Sequence, residues 1–256
     1  MEITVFSLGS GSKGNCHILS DGKTSVMIDA GLTTRGMKAG LDDAGMQLSD
    51  LEGILLTHEH ADHVRSLPYL SEVLPVYSHE DTLRTLDYYA EGVRADRLYA
   101  VEGSFQLGGF YVTPFRVSHD AAHPFGFIVE NGESKVGYLT DTGYVSKGIM
   151  KTLSGCDTVI LESNHDKELL LRGGYPEALK RRILSDKGHL CNDESAECVC
   201  DLVRSGAKKI LLAHISENNN LSELAYWTTR RTLESKGIGE EDVALKVAYQ
   251  RKTVVL

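Results

Sequence analysis

The segment Leu55-Leu-Thr-His58-Glu-His60-Ala-Asp62-His63 puts four potential metal ligands, His58, His60, Asp62 and His63, within six residues, directly after an apolar run. Imidazole nitrogens and carboxylate oxygens are ligands for divalent metals, and side chains two residues apart at a strand end can point the same way. His58 and His60 can therefore face one metal, while Asp62 and His63 follow where the chain would turn into a helix and offer an oxygen and a nitrogen to a second. Any one of these residues alone reads more naturally as a solvated or core side chain; four at this spacing read as a metal site. Three further donors end apolar runs: His119 in Val117-Ser-His-Asp120, Asp141 in Leu139-Thr-Asp-Thr-Gly143 and His214 in Leu211-Leu-Ala-His-Ile215. A carboxylate has two oxygens and can bridge two metals, which suits Asp141. Singly, Asp141 could cap a helix ahead of Ser146 and His214 could bond backbone, but their shared strand-end placement favours ligation.

Short β-branched or apolar runs predict the strands that bring these ends together: Ile3-Leu8, Cys16-Ser20, Ser25-Asp29, Gly53-Thr57, Phe110-Val117, Phe125-Glu130, Lys135-Thr140, Thr158-Glu162, Ile210-His214 and Leu245-Tyr249. Helices are predicted at Met37-Ala44, His79-Tyr89, Ser146-Leu153, Pro176-Ser185, Asp193-Ser205 and Leu221-Ser235. The pattern is α/β, and with no internal repeat or linker it implies one domain over residues 1–256. Gly9-Ser-Gly11-Ser-Lys-Gly14 satisfies a dinucleotide-binding string, with Asp29 twenty residues after Gly9. That fingerprint needs a helix at the third glycine, whereas Asn15 onward runs into a strand and an Asp21-Gly22 hairpin turn, so the string is a decoy.

The chain has 256 residues, 27 Lys+Arg, 36 Asp+Glu and a formal net charge of −9, which speaks against holding nucleic acid through a global positive field. An acid at position 2, no signal-like stretch and no apolar span of about 20 residues imply a cytoplasmic protein without membrane contact. The five cysteines (Cys16, Cys156, Cys191, Cys198, Cys200) are odd in number and lack a Cys-x-x-Cys pair, so neither a disulfide framework nor a thiolate zinc site is expected.

His-x-His-x-Asp-His followed by His, Asp and His at strand ends resembles the metallo-β-lactamase fold superfamily over nearly the whole chain. The resemblance implies an αββα four-layer sandwich, two mixed sheets face to face, with two divalent metal ions at one edge. It places His58, His60 and His119 on one metal and Asp62, His63 and His214 on the other, with Asp141 between them and Asp29 supporting the ligands without binding metal. His123 is the alternative to His119, which is preferred because it closes its strand. Imidazole and carboxylate suit zinc, manganese and iron alike.

Members of this superfamily act on several substrate classes, so the reaction must be read from detail. Gly188-His189-Leu-Cys-Asn192, just ahead of a helix, resembles the Gly-His-Ser-Thr element of tRNase Z-like enzymes, and His189 would serve phosphate or a departing oxygen. Ser-Gly-Ser-x-Gly-Asn15, Glu162-Ser-Asn-His165-Asp166, Gly174-Tyr-Pro176 and Gly188-His-Leu-x-Asn192 are similar to the YycJ-like (WalJ-like) branch, with Cys191 standing where that branch carries Ser. The branch implies a 5′ to 3′ DNA exonuclease with a role in mismatch repair. Double-stranded ends are the expected substrate, with a metal-bridging hydroxide as nucleophile and Asp62 and His189 as the catalytic pair. Ser10, Lys13, Arg172, Lys180, Arg181 and Arg182 are the expected phosphate contacts. The alternative is a metal-dependent thioesterase or small-ester hydrolase of the glyoxalase II type, which would need a small apolar pocket.

Overall fold

Strands that are apolar on both faces must be covered on both faces, and three hydrophobic clusters do this here. The computed structural model describes residues 1–256. Its strands are β1 (Thr4–Gly9), β2 (Cys16–Ser20), β3 (Ser25–Ile28), β4 (Ile54–Leu55), β5 (Val76–Ser78), β6 (Leu98–Ala100), β7 (Phe105–Leu107), β8 (Phe110–Arg116), β9 (Phe125–Glu130), β10 (Lys135–Leu139), β11 (Thr158–Glu162), β12 (Lys209–Ala213), β13 (Ala244–Val247) and β14 (Val254–Val255). They form two seven-stranded sheets, ordered β14-β1-β2-β3-β4-β5-β6 and β13-β12-β11-β10-β9-β8-β7. Both are mixed: β3 to β6 and β10 to β13 pair in parallel, the remaining neighbours antiparallel.

Alternation along each strand builds the layers. In β11 and β12, Ile160, Leu211 and Ala213 face the first sheet, where Leu19, Ile28 and Leu55 meet them. Val159, Leu161, Ile210 and Leu212 face outward with Leu153, Val199, Leu202 and Leu233. The helices on that side are α5 (Lys147–Leu153), α8 (Asn192–Arg204) and α9 (Ser222–Ser235); α6 (Lys167–Arg172) and α7 (Glu177–Ile183) come between α5 and α8 in the chain, α7 lining the metal cleft with Leu179 and Ile183, and α1 (Thr34–Ala44), α2 (Ala61–Val64), α3 (Leu67–Leu70) and α4 (Glu80–Tyr89) precede them on the first sheet. Ile18, Met27 and Ile54 pack outward against Met37 and Leu41 of α1, Leu67 and Leu70 of α3 and Leu86 of α4. Each such aliphatic side chain contributes about 1.5–3 kcal/mol of burial. The result is the αββα sandwich expected from the sequence. No helix is long and apolar enough to cross a membrane, and all five cysteines are free.

Several boundaries differ from the pattern for local reasons. The run 53–57 gives only the two-residue β4, because the Thr57 N–H donates to the Asp29 carboxylate at 2.9 Å instead of continuing the ladder. Helix α1 begins three residues before Met37, since Thr33 Oγ1 caps it by accepting from Gly36 N at 3.1 Å. The short strands β5, β6, β7 and β14 carry too few residues for a period to show. Gly9 to Gly14 leads into β2 and not a helix, which removes the dinucleotide-binding pattern.

Candidate metal centre

The expected ligands sit where sheet strands end. Asp29 follows β3, Thr57 and His58 follow β4, Asp141 follows β10 and His214 follows β12, while Asp62 and His63 lie on α2. Three of these residues leave their strands in the left-handed region, Asp29 at φ 60°, Asp141 at φ 56° and His214 at φ 56°. That conformation costs a non-glycine residue roughly 1–2 kcal/mol and turns the side chain back across the strand ends. A second constraint comes from two glycines. A Cβ on Gly14 would fall 2.3 Å from Gly31 O, and one on Gly31 would fall 1.6 Å from Asp62 O. Their absence lets three loops interlock, with Asn15 N donating to Asp62 O at 2.9 Å and Ala30 N to His63 O at 2.7 Å.

Four groups of donors converge: His58, His60 and His119; Asp62, His63 and His214; His58, His63 and Asp141; and Asp141, Glu162, His189 and His214, each with its ligand atoms within 4.8 Å of one another. Asp141 stands between the first two groups, its Oδ2 3.4 Å from His63 Nε2 and its Oδ1 3.9 Å from His119 Nε2. His123 is not among these residues. It stacks on His79, ring centroids 3.4 Å apart, and forms a separate donor group with His79 and Asp81.

The ring tautomers follow from the outer nitrogens. Asp29 Oδ2 accepts from His63 Nδ1 at 2.8 Å, and Gly188 O accepts from His119 Nδ1 at 3.2 Å. Thr57 Oγ1 lies 2.9 Å from both Asp29 oxygens and from His58 Nδ1; donating to the carboxylate, it accepts from the imidazole. Glu162 Oε1 accepts from His214 Nδ1 at 2.7 Å and from His189 Nδ1 at 2.8 Å. A carboxylate or carbonyl can only accept, and the Thr57 hydroxyl is spent on Asp29, so each of these rings carries a proton on Nδ1 and turns Nε2 to the interior.

Glu162 had no role in the sequence reading, although it ends an apolar strand just as the chosen ligands do. It is fully buried, and its second oxygen takes the N–H groups of Thr142 at 3.1 Å and Leu190 at 3.0 Å. Asn15 was also missed: its Nδ2 lies 3.2 Å from His63 Nε2 and 3.4 Å from Asp62 Oδ2.

Burial opposes charge on His63, but Asp141, Asp29 and Asp62 outweigh it and hold its pKa well above the usual histidine value. His214 is raised in the same way, burial being overcome by Asp141, Asp62 and Glu162. His58 is lowered well below its usual value by burial and by the imidazoles around it, and burial takes His119 down to about 4. A cluster of carboxylates thus holds protons on two buried imidazoles, and a divalent cation taking those nitrogens displaces the protons. Asp141 Oδ2 is buried and has no hydrogen-bond partner. A carboxylate oxygen in that position, among imidazole nitrogens that give up their protons to a cation, is a donor set that fits divalent metal.

His189 lines the cleft above these residues together with His60, Asp62 and Arg182, a space of about 200 Å³. The expected phosphate contacts are less uniform. Ser10 is buried, donating to Asn15 Oδ1 at 3.0 Å and accepting from His214 N at 2.8 Å, so it fixes the His214 loop and faces no substrate. Lys180 is buried too, its Nζ donating to Leu171 O at 2.7 Å. Arg182 Nη2 donates to Asp120 Oδ1 at 2.8 Å, and Arg172 pairs with Glu168 at 3.3 Å. Lys13 pairs with Glu217, which leaves Arg181 exposed without an acidic partner. Cys191 does the capping work of the expected Ser, its Sγ accepting from Glu194 N at 3.4 Å at the start of α8.

The chain belongs to the beta-lactamase superfamily, whose domain model matches residues 24–215, the stretch that runs from before Asp29 to just past His214. Two relatives are named for their activity. The chain is 39% identical over 236 residues to exodeoxyribonuclease YycJ of Bacillus anthracis, covering 91% of this chain and 89% of that protein. It is 34% identical over 238 residues to exodeoxyribonuclease WalJ of Streptococcus pneumoniae serotype 2, covering 91% and 88%. Among solved structures, the metallo-beta-lactamase fold protein YhfI from Bacillus subtilis superposes with a TM-score of 0.72 at 15% identity, each chain covered in full. Fold and relatives together make the chain a metal-dependent hydrolase of the exodeoxyribonuclease branch.

Proposed function

We propose that residues 1–256 form one hydrolase domain that holds two divalent ions and digests double-stranded DNA from its 5′ end, in the cytoplasm and in the service of DNA repair. The observation that carries the reading is the set of imidazoles whose outer nitrogens are tied to acceptors while their inner nitrogens converge around Asp141. His58, His60 and His119 would hold one ion, and Asp62, His63 and His214 the other, with Asp141 reaching both. Divalent ions bound there lower the pKa of coordinated water and offset charge on a phosphoryl group.

The chain's own residues do the rest. Asp29 and Glu162 orient the imidazoles, and the tie of His189 Nδ1 to Glu162 leaves Nε2 for the cleft, where the imidazolium form of the ring would donate to phosphate or protonate the departing oxygen. Of the cleft's lining only Tyr175, Leu179 and Ile183 are apolar, which disfavours the small apolar pocket of a thioesterase. End-labelled duplexes bearing 5′-phosphate or 5′-hydroxyl, supplied with zinc, manganese or iron in turn, test the proposal. Release of label from the 5′ end is expected, together with its loss in folded Asp62→Ala protein. Release only from the 3′ end, or an unchanged rate in that variant, overturns the polarity or the site.

A further inference from the structure

A cavity of about 720 Å³ beside the metal cleft is lined by Lys13, Arg35, Arg65 and Arg251, with Asp43 as its only carboxylate. In a chain of net charge −9 this is a local reversal of sign. All four cationic residues are exposed. Lys13 pairs with Glu217, but Arg35, Arg65 and Arg251 have no carboxylate at ion-pair distance, whereas Arg84, Arg94 and Arg182 elsewhere on the surface do. Unneutralised like charges gathered on one wall repel one another and are relieved by an anion.

The cavity is continuous in the chain with the metal centre. Ser12 lines the cleft and Lys13 lines the cavity. Arg65 follows His63 by two residues, and its Nη1 donates to Lys13 O at 2.8 Å. Gln250 fixes the wall from the other side, its Oε1 accepting from Lys13 N at 2.7 Å and its Nε2 donating to Gly14 O at 2.9 Å. The α7 cations expected from sequence to meet DNA are largely spent on internal partners, with Lys180 buried and Arg182 held by Asp120. Three guanidinium groups without a carboxylate partner, Arg35, Arg65 and Arg251, gather here instead.

We propose that this cavity holds the sugar–phosphate backbone of the nucleic-acid substrate as it runs out of the metal cleft; the inference rests on the nuclease reading above. Several separated guanidinium groups suit successive phosphates of a polymer, since each offers paired donors to one phosphate.

The test is the double variant Arg35→Ala, Arg251→Ala in the metal-loaded enzyme. Affinity for a labelled phosphorothioate oligonucleotide is followed by anisotropy from 50 to 200 mM salt, alongside hydrolysis of bis(4-nitrophenyl) phosphate. Each phosphate contact adds about 0.7 (single strand) to 0.9 (duplex) to the slope of log affinity against log salt. Losing two should make the fourfold salt increase roughly seven- to twelvefold less costly to the variant than to wild type. The small diester, too short to reach the cavity, should be hydrolysed at the wild-type rate. An unchanged affinity and salt slope, with wild type digesting DNA normally, overturns the cavity assignment alone, as does a parallel fall in small-diester hydrolysis. Wild-type enzyme that neither binds nor digests DNA overturns the nuclease reading and this inference with it.

Discussion

Replacing Glu162 by Gln should separate the role of this buried carboxylate from its bulk. Its four contacts are all donors: His189 Nδ1 and His214 Nδ1 on Oε1, Thr142 N and Leu190 N on Oε2. Burial works to raise the Glu162 pKa, but His189 and His214 outweigh it and hold it well below the ordinary carboxylate range. Gln has one oxygen, which the two immobile backbone N–H groups will claim, so its NH₂ must face the two imidazoles. Each ring then has to accept at Nδ1 and carry its proton on Nε2, the nitrogen that His214 needs for metal. Loss of an orienting partner of this kind typically costs 10–100-fold in metal affinity or activity, about 1.4–2.7 kcal/mol. Glu162→Ala is the poorer experiment, because four buried donors at roughly 1–3 kcal/mol each threaten the fold itself. The assay is competition for zinc against a chromophoric chelator, with circular dichroism as the control for folding. A folded Glu162→Gln protein with metal affinity and turnover within twofold of wild type would refute the tautomer argument.

His189→Ala should keep its full metal content while turnover falls by about 10²–10⁴-fold, the usual range for a positioned proton donor; metal analysis showing lost ions would make His189 a ligand instead. His165 is buried with neither ring nitrogen bonded, and burial, aided by His189, takes its pKa down to about 4 against an ordinary 6.5. Between those values the unfolded chain binds a proton that the native state refuses, so stability falls as pH drops from 6.5 to 4, by up to about 3 kcal/mol. His165→Leu should remove that part of the acid loss, read by urea unfolding in EDTA at pH 7 and 4.5; equal losses in variant and wild type would contradict it.

The donor types and their order along the chain were legible in the sequence because chemistry fixes them: His58, His60, Asp62 and His63 need only their spacing to suggest metal. So were the strands with apolar runs of five or more residues, such as β9 and β11, whose burial on both faces leaves a continuous pattern. Local sequence preferred His119 over His123, four residues on, only because His119 closes its strand. In the fold His123 stacks on His79, while His119 lies against His58 and His60. Glu162 and Asn15 were invisible as orienting groups because their partners lie 20 to 52 residues away in sequence. The cationic side chains show the same division. Sequence counts charges, but only packing determines that Lys180 is turned inward while Arg35, Arg65 and Arg251, far apart in the chain, share one wall. Composition and spacing name the donors; pairing, burial and the backbone turns at strand ends decide which of them meet, because those depend on contacts between segments that no local pattern encodes.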